Sequence, residues 1–308
     1  MQKKRVYSLL FSLIFTMSVS ANTTANTNTN HLTSAEITTV INPDAIKLIP
    51  QNYTFVNEGK LTIAIPGLNA PPLYMFAEDN KTLLGSEIDL AKLIAASLGK
   101  ELEVVVTSWE DWPLGIQSGK YDAAIANITV TKERKEKFDF ATYRQDTLGF
   151  YVKNESSITA IQEAKDIAGL KIIVGAGTNQ EAILLAWDKE NQQKGLEPFV
   201  PFYSRDDAAM TLALLSGRAD AYFGPYVTGA YKAKQTGKTR LVGQIEGGWP
   251  KTANIAITLK KGTKLVNAIQ ASINGLISDG TYHQVLAKWN ESLEAITYSE
   301  INPPGLGD

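Results

Sequence analysis

One phrase occurs twice in this chain. Ile116-Gln117-Ser118-Gly119-Lys120-Tyr121-Asp122-Ala123-Ala124-Ile125-Ala126-Asn127 returns as Leu214-Leu215-Ser216-Gly217-Arg218-Ala219-Asp220-Ala221-Tyr222-Phe223-Gly224-Pro225. Each copy reads as a helix end, a Ser-Gly turn and a buried strand, because glycine closes helices in a left-handed turn and a short apolar run follows it. Ser118 and Ser216 lie 98 positions apart. That is far beyond the period of a solenoid, so the duplication implies two similar α/β lobes with one such unit in each. Chance similarity of a turn and a strand is the alternative. Ligands of open α/β sheets gather beyond the carboxyl ends of the strands, which places Ala126-Asn127 and Gly224-Pro225 at the border of an expected cleft between lobes.

The 308 residues are 44% hydrophobic, enough for one large core or two modest ones. With 30 basic and 32 acidic side chains the net charge is −2, and no dense basic block follows the extreme N-terminus, so nucleic acid is not an expected partner. Cysteine is absent, which excludes disulfides and an N-terminal lipid on cysteine. The histidines, His31 and His283, form no cluster, and neither a metal nor a cofactor is expected.

Met1-Gln2-Lys3-Lys4-Arg5, the apolar run Val6 to Val19 and the small residues up to Ala21 read as a signal peptide over residues 1–21. A retained anchor is the weaker reading, since Ser8, Ser12, Thr16 and Ser18 interrupt a run shorter than about 20 residues. The mature chain is expected outside the cytoplasm. Residues 22 to about 34 are nearly all Asn, Thr, Ala and Ser and bury too little to offset chain entropy, so they read as a tether.

Alternation of strands and helices then begins. Strands are expected at Lys60 to Ile65, Glu103 to Thr107 and Asp122 to Ile128, with a helix capped by Ser86 and closed by Gly99, and another over Trp112 to Gln117. Around Tyr143 to Val152 the chain leaves this unit. A second series follows: strand Lys171 to Val174, helix Gln180 to Asp188, strand Phe199 to Tyr203, and the strand of the second repeat at Asp220 to Phe223. After Gly247-Gly248-Trp249-Pro250 come a strand at Ala253 to Leu259 and a helical stretch from Lys264 to about Asn290. That stretch is too small to stand alone and is expected to return to lobe 1, which gives two chain crossings and a hinge.

These residues, from about Leu61 to Trp289, resemble the periplasmic amino-acid-type solute-binding proteins of ABC transporters, the bacterial extracellular solute-binding protein family 3. The resemblance is carried by Ser108-Trp109-Glu110-Asp111, Leu114 to Asp122, Ile128 to Lys135, Phe138-Asp139-Phe140, Val174 to Gln180, Ser216 to Ala221 and Asp279-Gly280-Thr281-Tyr282 in that order. It implies a two-lobe type II periplasmic-binding-protein fold of α/β class, with two hinge strands and a central ligand cleft. The implied divisions are residues 1–21 signal peptide, 22–51 tether and short N-terminal segment, 52–144 plus 251–299 lobe 1, 145–250 lobe 2, and 300–308 tail.

Thr131 sits where an N-cap is expected, which puts Arg134 in the first helical turn, where a cation is locally unfavourable. By itself Arg134 reads as one more solvated residue of a charged run. By resemblance it holds the ligand's α-carboxylate, which a guanidinium can grip with two parallel bonds. The resemblance adds the Thr129 hydroxyl, amide or backbone groups of Asn127, and Thr178 and Asn179 from lobe 2. Residues 175–179, rich in small side chains between a strand and a helix, also suit an anion, or are a plain turn. Trp109 matches an aromatic position that covers the ligand side chain, while Ala70 and Gly67 stand where relatives often carry a ring and an acid. Pro225 departs from the pattern: relatives place there an Asp that pairs with the ligand's ammonium. Asp146, Glu181 and the Tyr226 hydroxyl are the possible substitutes, with Asp206 and Asp207 read as helix caps.

The expected function is a non-catalytic, monomeric receptor that closes on a small carboxylate-bearing ligand, an amino acid or derivative, and docks on a membrane ABC permease in the periplasm. The alternatives are a dehydratase-like enzyme on the same fold, with Glu181 as acid but no partner base, and a sensory protein that presents its ligand to a receptor.

Overall fold

The structure, a computed structural model, describes residues 37–66, 70–204 and 206–308. The expected signal peptide, the tether at residues 22 to about 34, and Gly67 lie outside the described residues. The first series consists of β1 (Lys60–Pro66), a ribbon of β2 (Met75–Phe76) with β3 (Leu83–Leu84), β4 (Glu101–Thr107) and β5 (Ala123–Ala124). Its helices are α1 (Pro43–Lys47), α2 (Ser86–Ser97) and α3 (Trp112–Ser118). After the single turn α4 (Lys132–Lys135) comes β6 (Phe138–Lys153), 16 residues long. The second series is β7 (Lys171–Val174), α5 (Asn179–Gln193), β8 (Val200–Tyr203), α6 (Asp207–Leu215), β9 (Ala221–Pro225), α7 (Tyr226–Thr236) and β10 (Thr239–Glu246). β11 (Ala253–Lys260), α8 (Leu265–Ser278) and α9 (Thr281–Lys288) complete the order.

The strands run β4-β1-β5-β11-β6-β9-β7-β8, with β10 also paired to β6. The order is the same on both sides of the join. β4, β1 and β5 are parallel and meet antiparallel β11; β8, β7 and β9 are parallel and meet antiparallel β6. The doubled phrase is the reason. Gly119 and Gly217 take left-handed φ values of 76° and 74°, and each turn delivers an aspartate to the first strand of its own lobe. Asp122 exchanges two bonds with Thr62: its N–H donates to the Thr62 carbonyl at 2.9 Å and its carboxylate accepts the Thr62 N–H at 2.8 Å. Asp220 makes the same exchange with Lys171, both bonds at 2.8 Å.

Each lobe has its own core. In lobe 1, Ile88, Ala91, Ile94 and Ala95 recur along one face of α2 and pack on Leu61 and Ile63, with Leu265, Ile269 and Ile273 of the returning α8. In lobe 2, Phe150 stacks on Phe223 at 4.0 Å and on Trp187 at 5.8 Å. β6 belongs to both: its first part pairs with β11 from Phe138 to Asp146, its second with β10 from Thr147 to Lys153. The segment after β10 runs so close to this strand that a Cβ on Gly247 would strike Asp146.

Several local expectations change. The first repeat's regular strand spans only Ala123–Ala124 instead of Asp122 to Ile128, and Asn127 turns left-handed at φ 51° just beyond it. Gly85, not Ser86, is the N-cap of α2; Ser86 lies inside the helix and donates to Glu291 at 2.7 Å. α5 runs on to Gln193, and Gly280 at φ 85° breaks the last helical stretch in two. Residues 300–308 are packed: Ile301 bridges Ala141, and Leu306 bridges Thr131.

Asp122 also accepts from the Tyr53 hydroxyl at 2.8 Å and the Val56 N–H at 3.1 Å, whereas Asp220 is exposed. Asp122→Ala is therefore expected to lower unfolding free energy by about 3 kcal/mol and Asp220→Ala by about 1 kcal/mol, since buried donors left unbonded are the costly ones. Urea unfolding of the two variants against the parent checks the difference.

Candidate functional site

The carboxyl ends of the strands converge on one cavity between the lobes. Trp109, Ala126 and Asn127 line it from lobe 1, and Gly175, Thr178, Asn179, Gly224 and Pro225 from lobe 2. The residues that end both copies of the phrase are among them, as the strand-end argument requires.

Arg134 stands beside this cavity. The Thr131 hydroxyl accepts the Arg134 N–H at 3.1 Å, so the residue does lie in the first turn of α4. Its side chain folds back: one guanidinium nitrogen donates to the Thr129 carbonyl at 2.9 Å, the other to the Gly177 carbonyl of lobe 2 at 3.5 Å. The guanidinium also lies 5.6 Å from the centre of the Trp109 ring, a cation–π distance. Burial lowers its pKa to about 10, with Glu133 opposing. No carboxylate lies within ion-pair distance of it among the described residues. A half-buried cation bordering a cleft and bonded only to neutral groups can accept an anionic ligand group, and Trp109 forms a wall beside it.

Lobe 2 treats its small-residue turn differently from the sequence expectation. Thr178 caps α5, accepting the Glu181 N–H at 3.2 Å and donating to the Gly175 carbonyl at 2.7 Å. The Gly177 N–H, a natural anion donor, is held at 2.6 Å by the chain's own Glu181 carboxylate. Asn179 donates to the Gly247 carbonyl at 2.6 Å and so ties the lobe 2 helix to the crossing segment.

Among the other expected residues, Asn127 lines the cavity but is engaged on both sides. Its N–H donates to Glu87 at 2.9 Å and its amide oxygen accepts from Arg144. Thr129 and Tyr226 are not in the lining. Thr129 is fully buried, its hydroxyl unbonded among the described residues; Tyr226 accepts the Tyr151 hydroxyl on its carbonyl at 2.9 Å. Asp206 is a cap as expected, accepting the Ala209 N–H at 2.6 Å, but Asp207 is not. It forms an ion pair with Lys232 of α7, and both line the cavity. Burial lowers the Lys232 pKa to about 8.

Behind Asn127 lies a group that sequence reading missed. Arg144, fully buried on β6, bonds Glu294 and Asn127, with Glu87 at 3.8 Å and Glu291 at 3.9 Å. Burial works against its charge, but Glu294 and Glu291 override it and hold the pKa well above the ordinary value. Asp146, two residues on and one of the ammonium partners the sequence offered, is also fully buried and is not in the cavity lining. Burial and the charge of Glu294 push its pKa up to about 7, against Arg144. Burial pushes Glu291 up to about 7, again against Arg144, and raises Glu87 and Glu294. The available signal was an Arg and an Asp two apart in a long strand whose other residues are mostly buried. It shows that one strand face is unusual, but not which acids face it.

Known proteins resemble this chain along most of its length. The family model for bacterial extracellular solute-binding proteins, family 3, matches residues 61–292. The L-cystine-binding protein TcyJ of Escherichia coli (strain K12) is 30% identical over 233 residues, 75% of this chain and 82% of that protein. The ABC transporter glutamine-binding protein GlnH of Bacillus subtilis (strain 168) is 28% identical over 264 residues, 83% of this chain and 88% of that one. Among solved structures, an ancestral amino acid-binding protein that is a precursor of cyclohexadienyl dehydratase matches with TM-score 0.64 and 26% identity, covering 75% of this chain and 95% of its own. The two-lobe α/β fold is thus shared with periplasmic amino-acid-binding proteins. No helix among the described residues is long and apolar enough to cross a membrane.

The raised carboxyls make stability depend on pH. Their native state holds protons that the unfolded chain would release, so their favourable contribution is complete below the unfolded value of about 4.3 and is lost as pH rises through about 7. Unfolding free energy is expected to fall between about pH 4.5 and 7, and Glu291→Gln, which removes one such group and keeps an acceptor for Ser86, to flatten that slope. Urea titrations at several pH values measure both.

Proposed function

The chain belongs to the bacterial extracellular solute-binding proteins, family 3, and from that premise we propose that it is the substrate-binding component of an ABC importer, closing on an amino acid or close derivative. One observation carries the reading. Arg134 reaches from lobe 1 to a lobe 2 carbonyl as a desolvated cation with no carboxylate partner among the described residues, so a ligand carboxylate at this place would offset its burial and bond to both lobes' surroundings at once. A ligand that touches both sides of the cleft favours the closed arrangement.

The relatives support the ligand class, since they are named for binding cystine and glutamine. Closure would move residues 52–144 plus 251–299 against 145–250, about β6 and the segment joining β10 to β11. Cleavage after residue 21 would release the monomer into the periplasm, where a membrane permease is the partner. Glu181, the acid that a dehydratase-like reading needs, is bound to Gly177 and, through its charge and a hydrogen bond, raises the pKa of Tyr203. That engagement favours a receptor over an enzyme.

The test is a thermal-shift screen of the standard L-amino acids and L-cystine, a true ligand stabilising in proportion to the logarithm of its concentration over Kd. Titration calorimetry of a stabilising amino acid against Arg134→Ala is expected to show a loss of about 100-fold or more, the usual consequence of removing one partner of a buried charge pair. Affinity unchanged in that variant refutes the carboxylate site.

A further inference from the structure

β6 changes partners between two adjacent residues: Asp146 faces Ala253 of β11, and Thr147 faces Glu246 of β10. At this junction Asp146 is fully buried and neither carboxylate oxygen is hydrogen-bonded among the described residues. Glu87, Glu291 and Glu294 each lack a partner on one oxygen only. Buried carboxylates without partners are rare, and each asks for an explanation.

Asp146 is not itself in the cavity lining, but its surroundings point to the cleft. The amides of Asn127 from lobe 1 and Asn179 from lobe 2 lie near enough to favour its ionised form, although neither makes a well-aligned bond to it. Both asparagines line the ligand cavity, and so does Tyr222, whose hydroxyl pKa Asp146 helps to raise. The other charged groups acting on Asp146 are Arg144 of its own strand and Glu294 of the C-terminal segment. Arg144 is committed to Glu294 and Asn127, with Glu87 and Glu291 close by.

The cavity itself supplies no other free negative charge. Asp207 is its acidic lining residue among those described, and Lys232 already pairs with it. Pro225, at the end of β9, brings neither charge nor N–H.

We propose that Asp146 recognises a positively charged nitrogen of the ligand, its carboxylate receiving an ammonium group between Asn127 and Asn179. This rests on the reading of the cleft as an amino-acid site with Arg134 as carboxylate anchor. An ammonium brings three donors and the opposite charge, which a neutral donor would not. The two charged ends of an amino acid would then be held by Arg134 at the side of the cleft and by Asp146 behind Asn127 and Asn179, both on segments adjoining the lobe junction.

The experiment is calorimetry on the full mature chain with the L-amino acid that stabilises it most in the screen, and with the same acid lacking its amino group. Asp146→Asn is expected to weaken the amino acid by about 100-fold and the desamino acid by less than about threefold. Equal loss for both ligands, or no loss, overturns the assignment. A measurement on the parent protein needs no variant. Since the free carboxyl titrates at about 7, affinity for the amino acid should rise up to tenfold per pH unit as pH increases toward 7 and level off above it. A flat profile from pH 6 to 8 overturns the assignment too. If carboxylates bind through Arg134 but Asp146→Asn matches the parent, only the Asp146 assignment fails; if no amino acid binds the parent, the functional reading and this inference fail together.

Discussion

Both lobes depend on a single strand. β6 gives its first half to β11 and its second to β9 and β10, and the ladders to β11 and β9 are made of largely buried backbone groups that must stay bonded. The ladders hand over between Asp146 and Thr147, next to the segment that joins β10 to β11, and the proposed closure would turn there. A charged cluster sits at that handover. Arg144 draws together Glu87 from α2, Glu291 and Glu294 from the chain's last turns, and Asn127 from the end of the first repeat. Such a cluster is weak evidence of added stability, because desolvation offsets most of the attraction. Its consequence is positional: breaking it would leave uncompensated charge, so the groups that meet there are held to one arrangement behind the lining residue Asn127.

The cleft is asymmetric in charge, although the lobes are alike in topology. Lobe 1 contributes Arg134, whose own neighbours are carbonyls and a tryptophan face. Lobe 2 contributes a helix start whose exposed N–H at Gly177 is already satisfied by Glu181. Divergence between two copies of one unit thus lies at their ends. The first copy leads through Asn127 to Arg134; the second ends in Gly224-Pro225, which shapes the wall but offers no charge. The carboxylate of Asp146, unbonded among the described residues, lies behind the lining residues Asn127 and Asn179.

Much of this was legible from local rules. The repeat predicted two lobes because glycine in a left-handed turn followed by an apolar strand is a short-range signal, and the paired Asp122–Thr62 and Asp220–Lys171 exchanges show that the same local code builds the same docking twice. Thr131 as cap and Arg134 in the first helical turn were readable for the same reason, being set within four residues. Ser86 misled because a serine before an apolar helix looks like a cap whether or not its hydroxyl has a better partner. Here that partner is Glu291, 205 residues away. The strand after Asp122 was overdrawn because apolar composition continues past Ala124, while Asn127 turns the backbone.

By itself, then, the sequence determined the duplicated α/β plan, the place where the strand ends meet and the arginine that marks the cleft, since periodicity, caps and turn glycines act over a few residues. Only the tertiary structure decided which charges are desolvated. Asp207 and Asp220 remain at the surface or paired, Arg144 is saturated by distant glutamates, and Asp146 is buried with both oxygens unbonded among the described residues. Burial and charge compensation depend on groups brought from opposite ends of the chain, so the sequence could offer Asp146 only as one of three candidates beside Glu181 and Tyr226, with no local pattern to say which is desolvated.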